Sequence, residues 1–152
     1  MQKLAALIDE LESKIAHSDK LNQSVSAASV GWHLDHTLLA TDKIIGGLKS
    51  SDPAAYKSGF NSKKLLVFTL KKIPRGKAKA PDSVQPSSIT IDGIKTKLEA
   101  VRAKIKALPD LHPRNYIVHP VFGHLDTKNT IQFLEIHTRH HLQIINDIIK
   151  AG

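Results

Sequence analysis

Near the C-terminus three histidines fall within five residues, His137-Thr-Arg-His140-His141, and the chain continues Leu-Gln-Ile-Ile. Neutral imidazole is a common metal ligand and the side chain best suited to acid–base work near pH 7. Taking ~100° per residue, Leu134, Ile144, Ile145, Ile148 and Ile149 share one helical arc, with Arg139, Gln143 and Lys150 opposite. His137 and His141 fall in the middle of the apolar arc, and His140 on its shoulder. Residues at i and i+4 have Cβ atoms ~5–6 Å apart, so the two inward rings can converge on one point. They read either as stacked structural rings or as two ligands of a metal. A zinc-protease helix is excluded, because no Glu follows the first histidine.

A third ligand has to come from another element, since zinc and similar ions take three protein ligands and an open position when catalytic. The chain has no cysteine, so nitrogen or oxygen must hold any ion. The stretch Ser29-Val-Gly-Trp-His33-Leu-Asp-His36 offers two imidazoles on a second amphipathic segment. On a wheel His33 lies nearer the apolar stripe and His36 toward its polar edge, so wheel geometry alone selects His33. Asp35 points elsewhere on that helix, which leaves His140 as the better-placed spare acid or base. His112, His119 and His124 lie in the approach to the last helix. Loop histidines are mostly solvated, but His119 or His124 is placed to line a pocket mouth.

Four segments carry the period that must position these rings. Leu4, Leu7, Ile8, Leu11 and Ile15 mark the first. Val30, Leu34, Leu38, Ile45 and Leu48 mark the second, over residues 26–48. The third has the cleanest seam, Ile91, Ile94, Leu98, Val101, Ile105 and Leu108, with Ser88 or Thr90 as cap and Pro109 as stop. The fourth spans residues 127–149 behind a cap at Asp126. Residues 50–88 form a long connection with a short helix at 62–72, followed by IPRGKAKAPDSVQP, where Pro and Gly break regular structure. A second irregular piece, LPDLHPRNYIVHPVFGHLD, precedes the last helix, and nothing reads as a sheet. With 152 residues, 41% apolar, one domain (residues 1–152) with a genuine core is expected. The fold class expected is all-α, a four-helix bundle with a long second-to-third crossover.

The formal charge is +8, and its location is more informative than its size. Between Pro53 and Pro81 stand Lys57, Lys63, Lys64, Lys71, Lys72, Arg75, Lys77 and Lys79, with no Asp or Glu. Elsewhere basic and acidic residues balance, so the whole excess sits in the crossover. A solvated loop, or one that draws an anionic small-molecule substrate toward the histidines, fits this placement. A nucleic-acid-binding module is the alternative. Against it, aromatics make up only 5% of the chain, and single-strand binders interleave stacking rings with charge. The N-terminus reads as an amphipathic helix with Asp9, Glu10 and Glu12, unlike a signal peptide, and no run of ~18 apolar residues occurs. A cytoplasmic protein with no membrane partner is expected.

The paired motifs resemble the DinB/YfiT-like superfamily of metalloenzymes. Its second helix typically reads small-Val/Ile-Gly-x-x-Leu-x-His, matched by residues 29–36, and its last helix carries His-x-x-x-His, matched by His137 and His141. Phe122-Gly-His-Leu125 ahead of the His-rich helix, and IPRGKAKAP in the crossover, are similar to one uncharacterised branch. The resemblance implies a four-helix bundle with a three-histidine site for a divalent ion, zinc or nickel, held by His36, His137 and His141. It thereby prefers His36 over the wheel's choice of His33. It also implies thiol-dependent transfer or isomerisation, the metal presenting a low-molecular-weight thiolate. A hydrolase is the other enzymatic reading, with His140 as catalytic acid or base. A metal-bearing member without catalysis, used structurally or as a partner-binding homodimer, is a non-enzymatic one.

Overall fold

The computed structural model describes residues 1–76 and 81–151. Lys77 and Lys79 of the basic crossover lie outside the described residues. The chain is mostly helical: α1 (Gln2–Glu12), α2 (Val30–Ser50), α3 (Ser62–Leu70), α4 (Ile91–Lys106) and α5 (Thr127–Lys150), with one antiparallel hairpin of β1 (Tyr116–His119) and β2 (Gly123–Asp126). Among these helices α2 packs against α4 and α5, and α1 against α5 and α4. Each apolar stripe thus finds two partners, and Leu4, Ile8, Leu34, Leu38, Ile94, Leu98, Leu134 and Ile145 meet in one core.

Local chemistry sets the helix boundaries. Thr90 Oγ1 accepts from the Gly93 amide at 3.0 Å and Asp126 Oδ1 from the Asn129 amide at 2.8 Å, so α4 and α5 begin where their caps predict. The second helix begins later than residue 26: Ser29 is its N-cap, accepting from the Trp32 amide at 3.2 Å. Its entry is fixed by Gly31, whose amide donates to the Ser18 carbonyl at 2.9 Å, and a Cβ there would lie 2.9 Å from that same oxygen. Only glycine admits so close an approach. The helix in the crossover, α3, stops at Leu70, short of residue 72, because Lys71 turns left-handed at φ 52°.

The hairpin corrects the expectation that nothing forms a sheet. Each strand has four residues, too few for a period of two to stand out beside Pro120. Its signal is in the connection: three residues, Pro120 to Phe122, followed by Gly123 at φ 69°, a three-residue loop closing on a left-handed glycine. His119 reinforces the turn, its Nδ1 accepting from the amides of Val121 at 3.1 Å and Phe122 at 3.3 Å.

The seam on α4 is also shorter than its spacing implies. Leu98 is 1% exposed and Ile91 51%, because the first turn of α4 projects past the core. Leu98→Ala is therefore expected to cost about 2–5 kcal/mol in urea unfolding, and Ile91→Ala under about 0.5 kcal/mol.

Candidate metal centre

The register of α2 turns His33 and His36 both inward, at 4% and 3% exposure. From α5 come His141, buried, and His137, half-buried as a residue although its Nδ1 is fully enclosed. His36, His137 and His141 form the triad: one ring nitrogen of each lies within 4.8 Å of those of the others. Ring centroids are 4.6 Å apart for His137 and His141, 4.8 Å for His36 and His141, and 5.4 Å for His36 and His137. A tetrahedral zinc with bonds of about 2.0–2.1 Å sets its ligand nitrogens roughly 3.4 Å apart, so small side-chain rotations close the triad on an ion.

Outer hydrogen bonds decide which nitrogens are free. The carbonyl of Val84 can only accept, so the 2.8 Å contact from His36 Nδ1 fixes the proton there and leaves the lone pair on Nε2. Trp32 stacks on a face of that ring at 4.8 Å and 10°. His33 stands behind His141, their Nδ1 atoms 3.0 Å apart, while His33 Nε2 lies 3.0 Å from Ser26 Oγ. If His141 donates from Nδ1 to His33, then His33 donates from Nε2 to Ser26, and His141 keeps its Nε2 lone pair for a ligand role. The opposite polarity would place the proton on His141 Nε2 and block it. His33, the wheel's choice, is thus placed to orient a ligand. His137 Nδ1 is buried with no hydrogen-bond partner. A buried imidazole nitrogen left unpaired is costly, and a cation bound through it would remove that cost. On this observation the residues present fit a divalent ion.

Burial also keeps the cluster neutral, as metal ligation requires. Desolvation is the leading cause at every ring: it lowers His33 to about 4 and His137 to about 3, and takes His141 well below the usual 6.5. His36 is lowered by burial too, opposed by its bond to Val84 and by Asp35. Asp35 takes no part in the triad. It is 1% exposed and accepts from Lys97 Nζ at 2.6 Å, tying α2 to α4.

The remaining histidines divide by position. His140 packs edge-on to His141 at 5.2 Å, outside the triad; burial and the nearby Arg75 lower it, while a backbone hydrogen bond at Ile73 opposes them. His119 lies edge-on to Phe133, which contacts His137, so the hairpin brings it one ring away from the triad. Burial lowers it to about 4. His124 instead stacks on Tyr116 at 4.6 Å and accepts from the Lys57 amide, and His112 is exposed.

The crossover roofs this cluster. Besides Val84, Ser83 accepts from Lys43 of α2, and Arg75 donates to Asp147 of α5 at 2.7 Å. No signal in the sequence marked Ser26 or Val84, because both act through contacts to distant elements. Comparison with known proteins finds no matching family model, curated protein or solved structure.

Substitutions should separate ligands from supports. His137→Ala or His141→Ala is expected to abolish stoichiometric zinc binding. His33→Ala should weaken it about 10- to 100-fold, and His140→Ala should leave it unchanged, all read by competition with a chromophoric chelator. The metal-free protein should also lose stability on mild acidification. His33, His119 and His137 titrate lower folded than unfolded, so below about pH 6.5 the unfolded chain binds more protons, and the stability present above that pH falls away. By pH 5 each such group removes about 2 kcal/mol, measurable as a declining urea midpoint.

Proposed function

We propose that the chain is a metal-dependent enzyme of the DinB/YfiT-like kind, a four-helix bundle of α1, α2, α4 and α5 whose divalent ion, zinc or nickel, is held by His36, His137 and His141. The observation that carries this reading is the triad itself: three inward imidazoles from two helices, with outer partners that leave lone pairs available and one enclosed nitrogen unpaired. A neutral three-nitrogen set suits an ion with an open position. Such an ion would supply Lewis acidity toward a bound water or a low-molecular-weight thiol.

The chain's own residues would do the rest. His140, kept neutral by burial, accepts or returns a proton beside the triad without competing for the ion. Trp32 and Phe133 shield the rings from bulk water, which strengthens electrostatic interactions there. Arg75, close enough to lower both His33 and His140, supplies positive charge toward a small anionic substrate. Thiol-dependent transfer and hydrolysis are the two reaction classes this supports.

A metal-bearing bundle without catalysis is the second reading. It is favoured by one observation: His36 and His141 are only 3% and 7% exposed, which leaves little ring surface open to a substrate.

Elemental analysis of untagged protein, followed by thiol-transfer and hydrolysis screens, tests the proposal. One ion per chain is expected, with activity that disappears on chelation and falls at least about 100-fold in His140→Ala while metal content is kept. One ion with no turnover in any screen would support the second reading. No ion at all would overturn both.

A further inference from the structure

The outer face of α3 is apolar and uncovered. Val67 and Phe68 turn inward, where they pack against the cluster of Phe122, Leu125 and Phe133. Leu65, Leu66 and Leu70 turn outward and are 58–59% exposed, and Phe60, just ahead of the helix, is 85% exposed. The hairpin extends this face, because Asn61 donates to the Val121 carbonyl at 3.0 Å and Val121 is itself exposed. Half of the exposed large apolar side chains among the described residues gather here, whereas isolated ones are ordinary on any surface.

The charge that this segment itself carries is of one sign. Lys63 lies at its edge, and Lys71 and Lys72 follow its end; all three are exposed. Lys71 adopts a left-handed conformation that glycine takes without steric cost, so a cation is held at the helix end against local preference. No acidic residue occurs between Pro53 and Pro81.

We propose that α3 and the hairpin tip dock on an anionic lipid surface, leucines and Phe60 entering the headgroup boundary and Lys63, Lys71 and Lys72 pairing with lipid phosphates or carboxylates. Apolar side chains flanked by lysines are what interfacial helices use, and long lysine stems keep their charge in water as the leucines insert. The expectation of no membrane partner rested on the lack of a span. No described helix is long and apolar enough to cross a membrane, and surface docking needs none. Other occupants fit less well. Two copies related by symmetry would set these lysines against one another, aliphatic leucines offer no stacking surface to bases, and a helix ridge gives an acidic peptide no groove.

The test is flotation of the full chain with vesicles of phosphatidylcholine, with and without phosphatidylserine. Binding is expected only with phosphatidylserine and is reversed by salt. It should drop at least about ten-fold in Leu65→Ser/Leu66→Ser, and roughly five-fold in Lys63→Gln or Lys72→Gln. Because these side chains are exposed, circular dichroism and metal content should stay unchanged in every variant. Lack of binding to anionic vesicles would overturn the proposal, as would binding that the leucine substitutions leave intact. So would a wild-type dimer that the same substitutions dissociate, or tighter association with an acidic polypeptide or an oligonucleotide than with the vesicles.

Discussion

Pressing three imidazoles together inside a helical core is tolerable only while all three stay uncharged and their protein-facing nitrogens find partners, and the rest of the structure is arranged around that constraint. Desolvation keeps the rings neutral, the Val84 carbonyl takes the proton of His36, and His33, itself beside Ser26, stands within hydrogen-bond distance of His141. What the protein does not satisfy is His137 Nδ1. An apolar core of the same volume would be the simpler solution, so retaining three histidines points to a ligand that they share.

The same constraint accounts for the crossover. A loop with the entire charge excess would be expected to float in solvent, yet it contributes the carbonyl that orients His36 and places Arg75 on Asp147 and near His140. Its fixed contacts run inward to α2 and α5, and its unpartnered apolar face runs outward on α3. One segment thus covers the histidine cluster and presents an apolar face on α3.

Much of this was legible in the residues. The cap at Asp126, the narrowing of the α4 cap to Ser88 or Thr90, the five helical segments and the facing of His137 with His141 follow from the sequence alone. The choice between His33 and His36 did not. A wheel assumes one apolar side, but α2 lies between α4, α5 and the crossover, so Asp35 and His36 are as buried as Leu34. Position on the wheel then says nothing about role, and the motif resemblance, which selected His36, agrees with the triad where the wheel does not. Yet His33 does face inward, as the wheel requires, and the ring it meets is that of His141. The hairpin leaves no periodic trace because four-residue strands are too short for one, and Ile91 fits the seam although exposed because spacing does not tell where a helix outruns its neighbours.

X-ray absorption at the zinc edge of the loaded, tag-free protein tests most directly whether the triad holds a divalent ion through three imidazole nitrogens. A first shell of nitrogen and oxygen at about 2.0–2.1 Å with the multiple-scattering pattern of three histidines is expected. A shell of oxygen alone, or one showing fewer than three imidazoles, would contradict it.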